Sequence, residues 1–268
     1  MISKAKLKEL CAYRQQKRQD EEGVFIVEGA KMAAEALQWG AEVLCVCATS
    51  EWRVENGEWR TDSFPLGYYE VSPAEMERLS LFKDPSPVWM LVKRGERLKV
   101  KGENDATQAA SAHLSPFTFH LSPLTLALDC IQDPGNMGTM MRTVDWYGVR
   151  HIVCSRDTVS CYNPKVVRAS MGAIFRTRVE YVDLPKWLAD CNMLVFGASL
   201  QGQPLSTLHT PLSTPKVLLI GNEGRGISPE AMAHVTHPVL IPNIGGTAES
   251  LNAAVAAAIL MDRLVNSD

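Results

Sequence analysis

Apolar residues follow two rhythms along this chain. Short, almost uninterrupted apolar runs rich in β-branched residues occupy 24–27, 43–48, 66–71 and 88–92, and again 124–130, 151–154, 179–182, 193–198, 217–220 and 239–241. Such runs suit strands, and those apolar at every position suit strands covered on both faces. Between them the apolar residues space out to helical periodicity. Helices are expected over 3–18, over 28–40 with Gly40 as a C-terminal cap, over 72–81 with Ser72 as an N-cap, over 136–147, over 163–171, and from Leu184 onward. Two more are expected after Ser228-Pro229 and in the alanine-rich stretch from Ala253. Residues 52–64 read as a polar hairpin or loop. From 99 to 122 the composition shifts to Gly, Asn, Asp, Ser, Gln, Ala and Pro, the signature of a linker. The pattern therefore predicts a smaller α/β unit over 1–98, a linker over 99–122, and a second unit over 123–268. In the second, strands alternate with helices as in a largely parallel sheet covered on both faces.

Two of the late strands run into glycine loops. Val217-Leu-Leu-Ile220 is followed by Gly221-Asn-Glu-Gly-Arg-Gly226, and Val239-Leu-Ile241 by Pro242-Asn-Ile-Gly-Gly246. Ligands of open α/β sheets bind outside the carboxyl ends of strands, so the two loops are expected to wall one pocket. The spacing G-x-x-G-x-G is not the G-x-G-x-x-G of a dinucleotide fold, which argues against a nicotinamide oxidoreductase. Asn136, after the Pro134-Gly135 turn, is placed as a helix N-cap, with Arg142 about one and a half turns further on. Ser250 and Asn252 precede the alanine-rich helix, where one can cap while the other faces a pocket.

Three segments carry a resemblance: Asp133-Pro-Gly-Asn-Met-Gly-Thr-Met-Met-Arg142, Gly221-Asn-Glu-Gly-Arg-Gly-Ile-Ser228, and Ser250-Leu-Asn252 before the alanine-rich helix. Together, in this order, they resemble the three motifs of the SpoU (TrmH-like) RNA ribose 2′-O-methyltransferases. The third departs from the family's usual form, with Asn243 after the proline and an extra residue near Gly246. The segment Phe25-Ile-Val-Glu-Gly29 behind a basic helix resembles the ribosomal-protein-like substrate-binding domain of the same enzymes. The resemblance implies a trefoil-knotted catalytic domain, S-adenosylmethionine as cofactor, RNA as substrate and a homodimer. It places Asn136, Arg142, Glu223, Ser250 and Asn252 in the catalytic site, and Gly221, Asn222, Gly224, Ile241, Pro242, Ser250 and Leu251 around the cofactor. It puts Arg142 on an RNA phosphate; a guanidinium stays protonated at neutral pH, so positioning and charge stabilisation suit it better than base catalysis. Glu223 is expected to orient Arg142.

Composition narrows the reading. A formal net charge of −3 gives no general affinity for polyanions, but the positives cluster. Lys4, Lys6, Lys8, Arg14, Lys17 and Arg18 stand against Glu9 alone in 1–19, and seven cations between Arg142 and Arg178 stand against Asp145 and Asp157. Lys4, Lys6, Arg14, Arg142, Lys165 and Arg168 are accordingly candidate RNA contacts. The seven scattered cysteines read as reduced core residues, and His234 and His237 lack a third ligand, so no metal is expected. No run reaches membrane-spanning length, and the reading is a soluble, cytoplasmic protein. The expected activity is ribose 2′-O-methylation of rRNA; a tRNA target and a non-catalytic RNA-binding protein of the same fold are the alternatives.

Overall fold

A computed structural model describes residues 2–52, 64–95, 124–204 and 214–266; the expected linker and most of the 52–64 loop lie outside them. The apolar runs form two sheets. Strands β1 (Val24–Glu28), β2 (Val43–Ala48), β3 (Tyr68–Glu70) and β4 (Val88–Lys93) lie in the order β1-β4-β2-β3. All pairs in this sheet are antiparallel except β2 with β3. The second sheet contains β5 (Leu124–Leu128), β6 (His151–Ser155), β7 (Arg178–Val182), β8 (Leu194–Pro204), β9 (Lys216–Ile220) and β10 (His237–Leu240). Its order is β10-β8-β9-β5-β6-β7 and every pair is parallel. β5 and β9 are buried at every position, as strands covered on both faces must be. The chain moves outward from β5 through β6 to β7 and then returns to the other side of β5. The carboxyl ends of β5 and β9 thus meet where the strand order reverses, the usual place for a ligand in such a sheet.

Local structure corrects the sequence reading in three places. The helix expected over 3–18 is two helices, Lys4–Cys11 and Gln16–Glu22, joined by a tight turn at Ala12–Arg14 and an extended Gln15. The break lets Tyr13 turn inward to 3% exposure, where its hydroxyl donates to Glu22 at 2.5 Å. The helix Pro134–Trp146 is capped by Asp133, whose Oδ1 accepts from the Asn136 N–H at 2.7 Å; Asn136 is inside the helix and is not its cap. Strand β8 runs past 198. Phe196 and Gly197 pair with His237 and Pro238, whereas Gln203 and Pro204 pair with Val239 and Leu240, so residues 198–202 arch out of the sheet between the two registers.

Close packing sets the helix positions around the second sheet. Ala253, Ala254, Ala257, Leu260 and Met261 of the C-terminal helix Ala253–Asn266 share a core with Met137, Met140, Met141 and Val144 of Pro134–Trp146. Gly138 meets the helix Pro164–Ser170 so closely that a Cβ there would stand 2.4 Å from the Ala169 Cβ. The two sheets are joined through that helix. Val167 belongs to the core of the first sheet, Phe25 packs against Tyr162 with ring centroids 4.9 Å apart, and Arg176 reaches both Glu35 and Asp145. No helix among the described residues is long and apolar enough to cross a membrane.

Candidate active site

Three motifs distant in sequence meet at Asn136. With the backbone N–H of Asn136 taken by Asp133, its amide side chain is free to bridge. Nδ2 donates to Glu223 Oε1 at 2.7 Å, and Oδ1 accepts from Asn252 Nδ2 at 2.8 Å. Asn136 is 9% exposed, so both amide ends are satisfied where an unpaired amide would be costly. Asn252 in turn caps the C-terminal helix, its Oδ1 accepting from the N–H groups of Ala254 at 2.9 Å and Val255 at 3.3 Å. The choice between Ser250 and Asn252 as cap is thereby settled: Asn252 caps and Ser250 faces a cleft.

Glu223 is exposed and held by Asn136; it makes no hydrogen bond or ion pair to Arg142. The expected contact through which it would orient Arg142 does not form within one chain. The cause is helical geometry: six residues at about 100° each leave Arg142 roughly 120° around the helix from Asn136. Arg142 points outward from the helix, exposed and one turn from Trp146, which is 85% exposed.

The two glycine loops line separate clefts and do not wall a common one. The first cleft, about 400 Å³, lies between the arch of β8 and the 241–251 loop, and its lining includes Leu200, Ile241, Pro242, Ser250 and Leu251. Asn243 builds that loop: its Oδ1 accepts from Gly245 and Gly246 N–H groups at 3.1 and 2.7 Å, while Nδ2 donates to the carbonyls of Gly246 and Ala248. Gly221, Asn222 and Gly224 do not line this cleft. Gly221 is needed for packing, since a Cβ there would come within 2.2 Å of the Gly226 carbonyl carbon and the Ile227 nitrogen. Asn222 closes its loop through paired backbone bonds with Gly226 at 2.9 Å, and its Nδ2 donates to the Cys130 carbonyl at 2.8 Å.

A second cleft, about 550 Å³, opens at the carboxyl ends of β5, β6, β7 and β9, with Asp129, Cys130, Arg156, Asp157, Asn222 and Arg225 among its walls. Asp129, Cys130, Asp157 and Arg225 are not among the expected site residues; the first three follow the ends of strands, and Arg225 sits inside the first glycine loop. Asp157 is held below the usual carboxylate range by hydrogen bonds from the Ser155 hydroxyl and the Cys130 thiol. The same contact with Asp157, together with burial, pushes the Cys130 thiol up.

The basic candidates are dispersed over two sheets. Lys4 and Lys165 are exposed, and Lys6 pairs with Glu9 at 2.8 Å. Arg14 donates to the Arg78 carbonyl at 3.1 Å, and the Arg168 guanidinium lies 4.7 Å from the Phe82 ring centroid. Arg14 and Arg168 both act on the buried Glu28 carboxyl, which burial pushes up against hydrogen bonds from Ser80 and Leu81. These two basic residues, one from each basic stretch of the chain, therefore face one junction. Arg176 and Arg178, counted in the second basic stretch, are engaged in ion pairs with Glu35, Asp145 and Glu180. No cluster of metal-ligating side chains occurs among the described residues.

Comparison with known proteins identifies the family of both units. Residues 123–262, just over half of the chain, match the SpoU rRNA Methylase family, and residues 4–89 match the MRM3-like substrate binding domain. The chain is 28% identical over 263 residues to the 23S rRNA (guanosine(2553)-2′-O)-methyltransferase RlmP of Bacillus subtilis, covering 97% of this chain and 95% of that one. A TrmH-family protein from Porphyromonas gingivalis superposes with a TM-score of 0.79 at 31% identity, covering 100% of both chains. The AdoMet-bound rRNA methyltransferase from Sinorhizobium meliloti superposes with a TM-score of 0.77 at 26% identity, covering 98% of this chain and 95% of that one. With its three motifs joined through Asn136 and both halves matched, the chain belongs to the SpoU rRNA methylase family.

Proposed function

We propose that the protein transfers the methyl group of S-adenosylmethionine to a ribose 2′-hydroxyl of ribosomal RNA. The observation that carries this reading is the hydrogen-bonded chain Glu223–Asn136–Asn252, which ties the loop after β9 to the start of the C-terminal helix beside the first cleft. That cleft suits the cofactor. Its walls are largely apolar, with Leu200, Val239, Ile241 and Leu260 able to cover an adenine ring, and the backbone of 241–251 supplies polar groups for its edges. When bound, the cofactor supplies an electrophilic methyl group on a sulfonium.

The chain's own residues then have distinct tasks. Ile241, Pro242, Ser250 and Leu251 hold the cofactor, with Gly221, Asn222 and Gly224 shaping the neighbouring loop. Glu223, fixed by Asn136, presents a carboxylate oxygen beside the cleft, placed to take or orient the proton of the attacking hydroxyl. Arg142 neutralises an RNA phosphate and the charge that develops on the hydroxyl oxygen. Lys4, Lys6 and Arg14 extend the RNA footprint over the 1–98 unit, which the 99–122 linker joins to the catalytic 123–268 unit, and Lys165 and Arg168 extend it over the latter. The protein works as a homodimer, a reading supported by the exposed Trp146 and Val255 on adjacent helices, and Arg142 then stands at the subunit boundary. The C-terminal segment threads through the catalytic domain as a knot, and the protein works in the cytoplasm.

The test is calorimetric titration of S-adenosylmethionine followed by tritium-methyl transfer to ribosomal RNA and tRNA, for wild type and Arg142→Ala. The expected result is cofactor binding by both proteins, label at a ribose 2′-oxygen of rRNA for wild type, and transfer reduced by ~10²–10³ in the variant. Label on tRNA alone would move the substrate to tRNA. Cofactor binding without transfer to any RNA would sink the enzymatic reading.

A further inference from the structure

The second cleft has no part in the reading above, yet it occupies the place where the sheet order reverses, between the ends of β5 and β9. Its volume of about 550 Å³ falls within the range of small-molecule sites, roughly 300–1,000 Å³. Its polar groups are of two kinds. Asp157 offers an ionised carboxylate, its Oδ1 accepting from the Ser155 hydroxyl at 2.5 Å. Arg225 offers a guanidinium, which only donates, and its Nη2 lies 3.2 Å from Cys130 Sγ. The Ser155 hydroxyl that donates to Asp157 also accepts from the Cys130 N–H at 2.8 Å, so carboxylate and guanidinium flank one residue and face one opening.

Cys130 is held in a conformation that side chains avoid. Its φ is +56°, one of only two positive values among the described non-glycine residues. Such a conformation is strained for a residue with a Cβ and persists only where the surroundings enforce it. Here they do: the Cys130 N–H donates to Ser155 Oγ at 2.8 Å, and the carbonyl accepts from Asn222 Nδ2 at 2.8 Å. The strain places the thiol between Arg225 and Asp157. Asn222 also links the clefts, because the next residue is Glu223, from which the chain of bonds runs through Asn136 to Asn252 at the border of the first cleft.

We propose that the second cleft receives the base of the nucleotide whose ribose is methylated, and that this base is guanine. The proposal rests on the methyl-transfer reading for its consequence. Guanine presents two adjacent donors, N1–H and N2–H, next to two acceptors, O6 and N7. A carboxylate accepts the first pair and a guanidinium donates to the second. Adenine and cytosine would turn a ring-nitrogen acceptor towards the carboxylate, and uracil offers one donor between two acceptors. A base seated here, outside its helix, directs its ribose along Asn222 towards Glu223 and the methyl donor.

The experiment is saturation-transfer NMR with guanosine, adenosine, cytidine and uridine 5′-monophosphates, with and without saturating S-adenosylmethionine, on wild type, Asp157→Asn and Arg225→Ala. Circular dichroism and thermal melts establish that both variants fold. The guanine nucleotide should show transfer at H8 and bind about tenfold more tightly than the pyrimidine nucleotides, and each variant should remove most of that preference. Cofactor affinity should not change in either variant. Equal binding of all four nucleotides, a guanine preference that survives both substitutions, or displacement of the guanine nucleotide by S-adenosylmethionine would each overturn the proposal. A protein that binds the guanine nucleotide as described but methylates no RNA keeps the cleft and loses the functional reading. In an RNA that is methylated, replacing the target guanosine by inosine removes the N2 amino group and should lower kcat/KM by about tenfold in wild type and much less in Asp157→Asn.

Discussion

The amide of Asn136 donates to the Glu223 carboxylate at 2.7 Å while accepting from Asn252 at 2.8 Å, so its orientation is dictated from both ends. Replacing it with aspartate, Asn136→Asp, turns the donor into an oxygen facing Glu223. Two carboxylates this close cannot both ionise, so the pair should retain one proton to higher pH than a lone carboxylate. Transfer should fall by about 10²-fold at pH 8 and recover partly as pH is lowered and the shared proton restores a hydrogen bond. S-adenosylmethionine affinity should be retained. A pH profile of kcat beside calorimetric cofactor titration measures both, and a variant with the wild-type profile would remove the bridge from the mechanism.

Gly138 lies in the motif around Asn136, but its surroundings assign it to packing. Gly138→Ala drives a methyl group to within 2.4 Å of the Ala169 Cβ and 2.9 Å of the Val166 carbonyl oxygen. The expected cost is about 1–3 kcal/mol, with Tm falling by ~2–4 °C per kcal/mol. The double variant Gly138→Ala/Ala169→Gly should recover part of the loss as a favourable coupling. Additive melting shifts would show that the two helices do not meet as described.

Arg176 ties the two units together by reaching Glu35 on the helix Ala30–Gln38 of the first and Asp145 on the helix Pro134–Trp146 of the second. Arg176→Ala leaves two partly buried carboxylates facing each other, at an expected cost of about 1–3 kcal/mol. Calorimetry should show unfolding of the variant broader than that of wild type, or split into two transitions, as the units uncouple. Arg176→Lys should restore only part of the stability, because a point charge cannot serve both carboxylates with a planar fork. A melt identical to wild type would dismiss this contact as the tie.

The imidazole of His151 gives stability a pH dependence. Burial pushes its pKa below the ordinary value, partly opposed by Glu180 at 3.3 Å. The unfolded chain therefore takes up the proton first, at about pH 6.5. The stability associated with a neutral His151 is complete above that pH and is lost as pH falls from there towards the depressed folded-state value. Chemical denaturation from pH 8 to 5 should show this decline in wild type and a flatter curve in His151→Gln. Parallel curves would assign the acid sensitivity elsewhere.

Much of the fold was legible because strand burial is a local property. A segment such as Val217-Leu-Leu-Ile220 is apolar at every position, and only the centre of a covered sheet accepts it. The motif residues Asn136, Glu223 and Asn252 could be singled out by type and order. Their partners could not, because a hydrogen bond across 87 or 116 residues leaves no trace in spacing. Asn136 shows the difference clearly. Its position after Pro-Gly suggests a cap, and local logic stops there; the cap is Asp133, and the amide released by it does the bridging.

The sequence by itself determined which segments become strands, where the glycine loops and helix starts fall, and which family the chain resembles, since each depends on residues within a few positions of one another. Only the tertiary structure decided that β9 returns beside β5, that the arch of β8 walls the first cleft, that Arg142 points away from Glu223, and that Asp157 and Arg225 face a second cleft. These relationships depend on register, crossover and the angle between helices. They are set by the packing of the whole core, to which no single stretch of residues holds the key.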